Sequence, residues 1–170
     1  MKCFFINLEA SRERRAALVD NFTRFTPSDW SLERFAAVDA AGVQARKIIG
    51  SLRPSAIACG LSHLELMREK RNETSPFLML EDDALFGPHS CTMIREAIDL
   101  LEREGPWDIL FPDLCITQMG VMADLLALRR KLMQEGGMRL LNPMRWAFAS
   151  STSYILHPRA IPKILSAEPK

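Results

Sequence analysis

Residues 77–80 (FLML) form an uninterrupted apolar run that is followed at once by three carboxylates, residues 81–83 (EDD). A turn signal, residues 72–76 (NETSP), precedes the run, and the breaker pair at residues 87–88 (GP) follows it. A short apolar run between breakers predicts a strand that is buried on both faces of a sheet. The carboxylates then lie at the carboxyl end of that strand, which is the edge where open α/β sheets bind ligands.

The adjacent like charges of Glu81, Asp82 and Asp83 are costly unless a cation or a set of hydrogen-bond donors compensates them. Carboxylate oxygens suit Mg²⁺ or Mn²⁺, which take one or two protein carboxylates and complete their shell with water and substrate phosphates. This favours a metal and a diphosphate ligand. The alternative is a solvated acidic turn that caps the next helix, since acidic triplets are common on protein surfaces.

Composition limits the remaining classes of function. A chain of 170 residues is one ordinary domain, and a net charge of +1 excludes a nucleic-acid binder that depends on bulk charge. The four cysteines form no CxxC or Cys/His metal spacing, so we expect neither a zinc site nor a disulfide framework. Reduced thiols fit a cytoplasmic protein. The sequence has no signal-peptide core and no apolar run of roughly 18 to 20 residues, which predicts a soluble protein or one peripheral to the inner face of the cytoplasmic membrane.

Strand and helix patterns alternate along the chain, with residues 44–54 as a connecting loop that contains some helix. Predicted strands are residues 2–8, 32–39, 77–80, 107–112, 138–141 and 153–156, and predicted helices are residues 12–25, 55–71, 93–104, 123–134 and 158–165. Ser11 is the expected N-cap of the first helix. This alternation predicts an α/β fold with a mostly parallel central sheet flanked by helices.

Other residues at predicted element ends have the chemistry of a ligand site. Arg12, Arg14 and Arg15 lie in the first turn of a helix, where their charges oppose the helix dipole, so they favour either a nearby anion or a solvated basic face. Asp39 follows the second strand and is either an acceptor for ribose hydroxyls or a turn residue. His63 is either a donor to a phosphate or sugar, or a hydrogen-bonded, half-buried histidine. Asp113 is a second carboxylate just past a strand end.

Three separated blocks of the sequence together resemble glycosyltransferase family 25. The first is residues 5–8 (FINL) with Arg12 and Arg15. The second is residues 60–64 (GLSHL) followed by residues 77–83 (FLMLEDD), and it is similar to the family's Ser-His segment and acidic motif. The third is residues 153–156 (SYIL) with Ala160 and Leu165. The blocks span nearly the whole chain, and the pairing of Ser-His with Glu-Asp-Asp is the most specific of them.

The resemblance implies a GT-A type fold, a UDP-galactose donor and a divalent metal at the acidic motif, with Asp83 as its first ligand and Asp82 or Glu81 as the second. By position it also implies Asn7, Arg12 and Asp39 near the nucleotide, and Ser62 and His63 beside the donor. Bound Mn²⁺ would offset the charge that develops on the departing UDP. We expect one domain over residues 1–170 that lacks the C-terminal segment usual in the family.

The function expected from this resemblance is transfer of a hexose to a saccharide or glycolipid acceptor in lipooligosaccharide biosynthesis, with inversion. Inversion needs a general base near the attacking hydroxyl, and Asp113 is the candidate. The alternative is a non-catalytic domain with the same fold that binds a nucleotide, a glycan or a partner enzyme. A phospho-accepting receiver domain fits poorly, because its acidic pair would follow the first strand.

Overall fold

The computed structural model describes residues 1–46, 51–136, 138–142 and 152–167. The strands are β1 (Lys2–Asn7), β2 (Ser31–Ala36), β3 (Phe77–Glu81), β4 (Ile109–Leu110) and β5 (Ser153–Leu156). The helices are α1 (Arg12–Phe25), α2 (Ala40–Ala45), α3 (Pro54–Glu69), α4 (Ser90–Glu104), α5 (Met119–Glu135) and α6 (Ile161–Ser166), with a 3₁₀ turn at Pro158–Ala160 before α6. The predicted α/β class is confirmed.

The five strands form one open sheet in the order β2-β1-β3-β5-β4. β1 pairs in parallel with β2 and β3, whereas β5 pairs antiparallel with both β3 and β4. Four strands therefore run in one direction and β5 runs against them. The sheet is therefore mixed. The expected parallel arrangement is found for β1, β2 and β3, whereas both pairings of β5 are antiparallel.

The sheet is covered by helices on both faces. Alternate side chains of the strands pack on α1 and α4 on one face, in a core that includes Phe5, Leu80 and Ile94. On the other face, residues such as Phe77 and Met79 pack against α3 and α6. Because β3 is covered on both faces, all four residues of its apolar run are buried, as the sequence predicts.

Several element boundaries differ from the predictions. The strand expected at residues 107–112 is only two residues long in β4, and residues 138–142 form no strand. The helix α2 lies partly before the expected loop at residues 44–54. Ser11 precedes α1 as expected, but its side chain makes no capping hydrogen bond to the helix backbone. The segments that differ from the prediction are short, and in short segments tertiary contacts outweigh local propensity.

The helix terminations follow the glycines of the sequence. Gly105 directly follows the last residue of α4, Gly136 directly follows the last residue of α5, and both glycines have positive φ angles, 127° and 71°. Glycine adopts this region without steric cost, so the two residues stop the helices. Within the described part of the chain, none of the helices combines the length and the apolar character needed to cross a bilayer.

Candidate active site

The predicted site residues lie along one edge of the sheet. β1, β2 and β3 are parallel, so their carboxyl ends lie side by side, next to the amino end of β5. Asn7 ends β1, Glu81 ends β3, and Asp39 and Asp113 follow the ends of β2 and β4. The Glu81 N–H donates to the Thr152 carbonyl at 2.8 Å, which extends the pairing of β3 with β5 to this edge. Side chains from distant parts of the sequence therefore meet where open α/β sheets bind ligands.

Consecutive carboxylates of the acidic motif face different surroundings. Side chains alternate between the two faces along a strand, and Glu81 shares its face with Met79, towards α3. Its Oε1 lies 3.4 Å from His63 Nε2. Asp82 is directed to the other face, where its Oδ1 lies 3.0 Å from an Arg14 nitrogen. The two carboxylates therefore have separate partners.

Asp82 is compensated by donors from β1 and α1. It is 9% exposed, and Asn7 Nδ2 donates to its Oδ2 at 2.7 Å. The same amide nitrogen also donates to the Ser11 carbonyl, and Arg34 Nε donates to Asn7 Oδ1 at 3.1 Å. Asn7 is 1% exposed and connects β1, β2, α1 and the acidic turn. Arg14 completes this arrangement as the counter-charge of Asp82.

Asp83 differs from both of its neighbours. It lies in the turn that the Ala84 N–H closes on the Glu81 carbonyl at 3.2 Å. Its side chain is exposed, and no residue in the described ranges forms a hydrogen bond or ion pair with it. Of the three carboxylates in the motif, Asp83 is thus the one most open to an external cation.

Ser62 has a structural connection within the core. It is fully buried; its hydroxyl accepts a hydrogen bond from the Val38 N–H at 2.9 Å and donates to the Ala58 carbonyl at 2.7 Å. The hydroxyl therefore joins α3 to the segment after β2. Its expected position beside the donor stays a prediction.

His63 is held between two side chains on the opposite face from Asp82. Its Nδ1 lies 2.8 Å from the Tyr154 hydroxyl, and its Nε2 faces Glu81. Burial alone would lower the pKa of His63, but hydrogen bonding with Cys59 and Glu81 outweighs it and raises the pKa to about 9. Burial, with the nearby Glu81 charge, also raises the pKa of the Tyr154 phenol. The raised pKa favours the protonated form of the imidazole beside Glu81.

The remaining nucleotide-site predictions lie nearer the surface. Asp39 is exposed and caps α2, since its Oδ1 accepts a hydrogen bond from the Gly42 N–H at 2.7 Å. Arg12 is exposed in the first turn of α1. Arg14, two residues later, is the arginine that reaches the acidic motif. The assignment of Asp39 and Arg12 to a nucleotide stays a prediction.

Asp113 borders a cavity of about 340 Å³ between the sheet and α4. Apolar side chains of β3, β4 and α4 form most of its wall, and Asp113 and Arg139 are the charged residues among the described lining. Ala84 and Leu85 also line it, so the cavity adjoins the acidic turn. Its size is within the range of small-molecule pockets. Asp113 as the general base stays a prediction.

Three further residues contact the predicted site residues but were not predicted as part of the site: Arg34, Cys59 and Tyr154. Cys59 had a readable signal, because it lies four residues before His63 and therefore on the same face of α3. The pair was not predicted because it matches neither CxxC nor a standard Cys/His metal motif. Arg34 and Tyr154 contact the site through strand pairing, for which their neighbours in the sequence give no signal.

The comparison with protein families covers nearly the whole chain. The model of glycosyltransferase family 25, described as lipopolysaccharide-biosynthesis proteins, matches residues 1–169. None of the curated proteins matches this chain. The family match includes the Ser-His segment on α3 and the acidic motif that ends β3, the two parts that the fold brings into contact. The chain therefore belongs to glycosyltransferase family 25.

Proposed function

We propose that this protein transfers galactose from UDP-galactose to a saccharide hydroxyl during lipooligosaccharide or lipopolysaccharide biosynthesis. Membership of family 25 supports glycosyl transfer from a nucleotide sugar to a saccharide acceptor. The single observation that carries the proposal is the exposed carboxylate of Asp83 beside the Asp82–Arg14 pair, at the carboxyl edge of the sheet. We also propose that the open mixed sheet is a GT-A type fold.

The donor set at this edge fits Mn²⁺ or Mg²⁺. Asp83 offers carboxylate oxygens to a hard cation, and such ions take one or two protein carboxylates together with water and substrate phosphates. Asp82 already has Asn7 and Arg14 as partners, and Glu81 faces His63. We therefore assign Asp83 as the first ligand. When bound, the cation would offset negative charge on the departing diphosphate.

Arginines of α1 are suited to bind the diphosphate itself. Arg14 is anchored by Asp82 at 3.0 Å, yet its side chain is 54% exposed. A guanidinium has five N–H donors, so this contact leaves donors for phosphate oxygens. Arg12 lies two residues before Arg14, in the first turn of α1, and its side chain is also exposed. Holding Arg14 in place before the donor binds reduces the entropy lost on binding.

The ribose and the acceptor are assigned to carboxylates at two other strand ends. Asp39 uses one oxygen to cap α2, and its exposed carboxylate retains acceptor sites for ribose hydroxyls. Asp113 lines the 340 Å³ cavity, and we assign it as the base that takes the proton from an acceptor hydroxyl as the inverting bond forms. Free cysteines in the described structure support a cytoplasmic reaction, at the inner face of the membrane where a glycolipid acceptor would lie.

Calorimetric titration of UDP tests the proposal. We expect binding in the presence of Mn²⁺, loss of binding with a chelator, and about a 100-fold or larger loss of affinity in Asp83→Asn, or about 2.7 kcal/mol. Asp99→Asn is the matched control, because Asp99 is an exposed carboxylate on α4, away from the edge. Asp113→Asn should retain UDP binding and lose transfer of galactose.

Two results would contradict the proposal. Equal UDP affinity in the Asp83→Asn and Asp99→Asn variants would remove Asp83 from the donor site. Metal-dependent UDP binding without transfer to any saccharide acceptor would instead favour the non-catalytic domain.

A further inference from the structure

A second cluster of metal-ligating side chains lies on the α3 face of the same sheet edge. Cys59 and His63 are four residues apart on α3, so both project from one side of the helix towards Glu81 at the end of β3. One ligand atom from each of the three residues lies within 4.8 Å of the other two. None of these three residues is assigned to the proposed Mn²⁺ site at Asp83.

Two of the three distances in the cluster are close to the edges of a metal coordination tetrahedron, and the third lies within 4.8 Å. Cys59 Sγ lies 3.8 Å from Glu81 Oε1, and His63 Nε2 lies 3.4 Å from the same oxygen. Zinc bonds of about 2.3 Å to sulfur and about 2.0 to 2.2 Å to nitrogen and oxygen place tetrahedral ligands roughly 3.4 to 3.6 Å apart. An ion therefore fits among the three atoms with small side-chain shifts.

His63 is oriented as a metal-binding histidine is. The Tyr154 hydroxyl lies 2.8 Å from Nδ1, so the Nδ1–H can donate to it, and a deprotonated Nε2 would direct its lone pair towards Cys59 and Glu81. A partner of this kind on the second ring nitrogen is what fixes the tautomer and ring plane of metal ligands. Tyr154 is itself 6% exposed on β5, and this burial restrains its hydroxyl.

A hydrogen-bonded core alone explains this cluster less completely. The pairing of His63 with Tyr154 and Glu81 occupies both ring nitrogens. The thiol of Cys59 is a weak donor, so its hydrogen bonding with Glu81 and His63 is weak. A thiolate–metal bond gives Cys59 a strong interaction in the same place.

We propose that Cys59, His63 and Glu81 bind a transition metal of borderline softness, best represented by Zn²⁺. Thiolate and imidazole ligands favour zinc over Mg²⁺ or Mn²⁺, whereas the carboxylate edge at Asp83 favours the harder ions. Three protein ligands leave a fourth position for water or a substrate oxygen, as in catalytic zinc sites. Cysteine and histidine coordinate metals in deprotonated form, so metal binding at this cluster competes with protons.

Cobalt titration of the chelator-treated protein tests this site without any need for glycosyl transfer. Co²⁺ replaces zinc and, when bound by a thiolate in a four-coordinate site, gives a near-ultraviolet charge-transfer band and intense visible bands. We expect these bands to saturate at one ion per chain, to disappear when Zn²⁺ is added, and to persist in excess Mn²⁺. Wild-type protein without such bands would overturn the proposal, whatever its affinity for UDP.

Variants assign the site to these residues. Cys59→Ser should remove the charge-transfer band, whereas Cys115→Ser, which changes an exposed cysteine elsewhere, should retain it. Glu81→Gln should lower the cobalt affinity and keep the thiolate band. This variant tests the site independently if Cys59→Ser folds poorly. Tyr154→Phe should weaken binding by about 10- to 100-fold, as for other groups that orient a ligating histidine. Loss of the band in Cys115→Ser but not in Cys59→Ser would contradict the assignment.

Discussion

The two sides of the carboxyl edge hold neighbouring carboxylates in opposite chemical settings. On the α1 side, Asp82 is bound by an amide and a guanidinium, Asn7 and Arg14. On the α3 side, Glu81 faces a thiol and an imidazole, Cys59 and His63. The alternation of side chains along β3 produces this separation. An acidic motif that looks like one cluster in the sequence is therefore three carboxylates with different surroundings, of which only Asp83 is exposed.

The largest stability effect is expected on the α1 side. Asn7→Ala removes an amide that is 1% exposed and leaves Arg34 Nε and Asp82 Oδ2 without that partner. Unpaired buried groups cost about 1 to 3 kcal/mol each, so we expect a loss of about 2 to 4 kcal/mol in the free energy of unfolding. Urea denaturation measures it. Asn72→Ala, at an exposed turn, is the control and should change stability by less than about 0.5 kcal/mol. Equal losses of unfolding free energy in the two variants would mean that the hydrogen bonds of Asn7 do not stabilise the α1 side of the edge.

A smaller effect is expected for the partner of Asp82 that lies at the surface. Arg14→Ala removes an ion pair whose arginine side chain is 54% exposed, and such pairs contribute about 0 to 1 kcal/mol. We expect a loss within that range by urea denaturation, smaller still at high salt because screening weakens exposed charges. Arg12→Ala, in the same turn, should leave stability unchanged. An Arg14→Ala loss as large as that of Asn7→Ala would show that the guanidinium, rather than the amide, compensates Asp82.

The sequence predicts the general organisation of this edge. The apolar run at residues 77–80 identifies the buried strand β3, because a run that is apolar at every position fits a strand covered on both faces. The carboxylates after it, together with Asn7 and Asp113, lie at strand ends as expected. Alternating helix and strand patterns also give the α/β class.

Other features depend on contacts between distant segments. The reversed direction of β5 is set by its pairing with β3 and β4, and the pattern of four residues at 153–156 contains no information about direction. The metal site expected at the acidic motif, with Asp83 as the first ligand and Asp82 or Glu81 as the second, stays a prediction. Which partner each carboxylate meets follows from α1 and α3 packing on opposite faces of the sheet.

Metal binding by two variants tests whether Glu81 and Asp83 bind different cations. Mn²⁺ binding in the presence of UDP, followed by the electron paramagnetic resonance signal of free Mn²⁺, is compared with Co²⁺ absorbance in Glu81→Gln and Asp83→Asn. We expect Asp83→Asn to lose Mn²⁺ binding and keep the cobalt affinity of the wild type, and Glu81→Gln to show the reverse. Loss of both ions in each variant would mean that Glu81 and Asp83 bind a single metal, and would contradict the division of the edge into two sites.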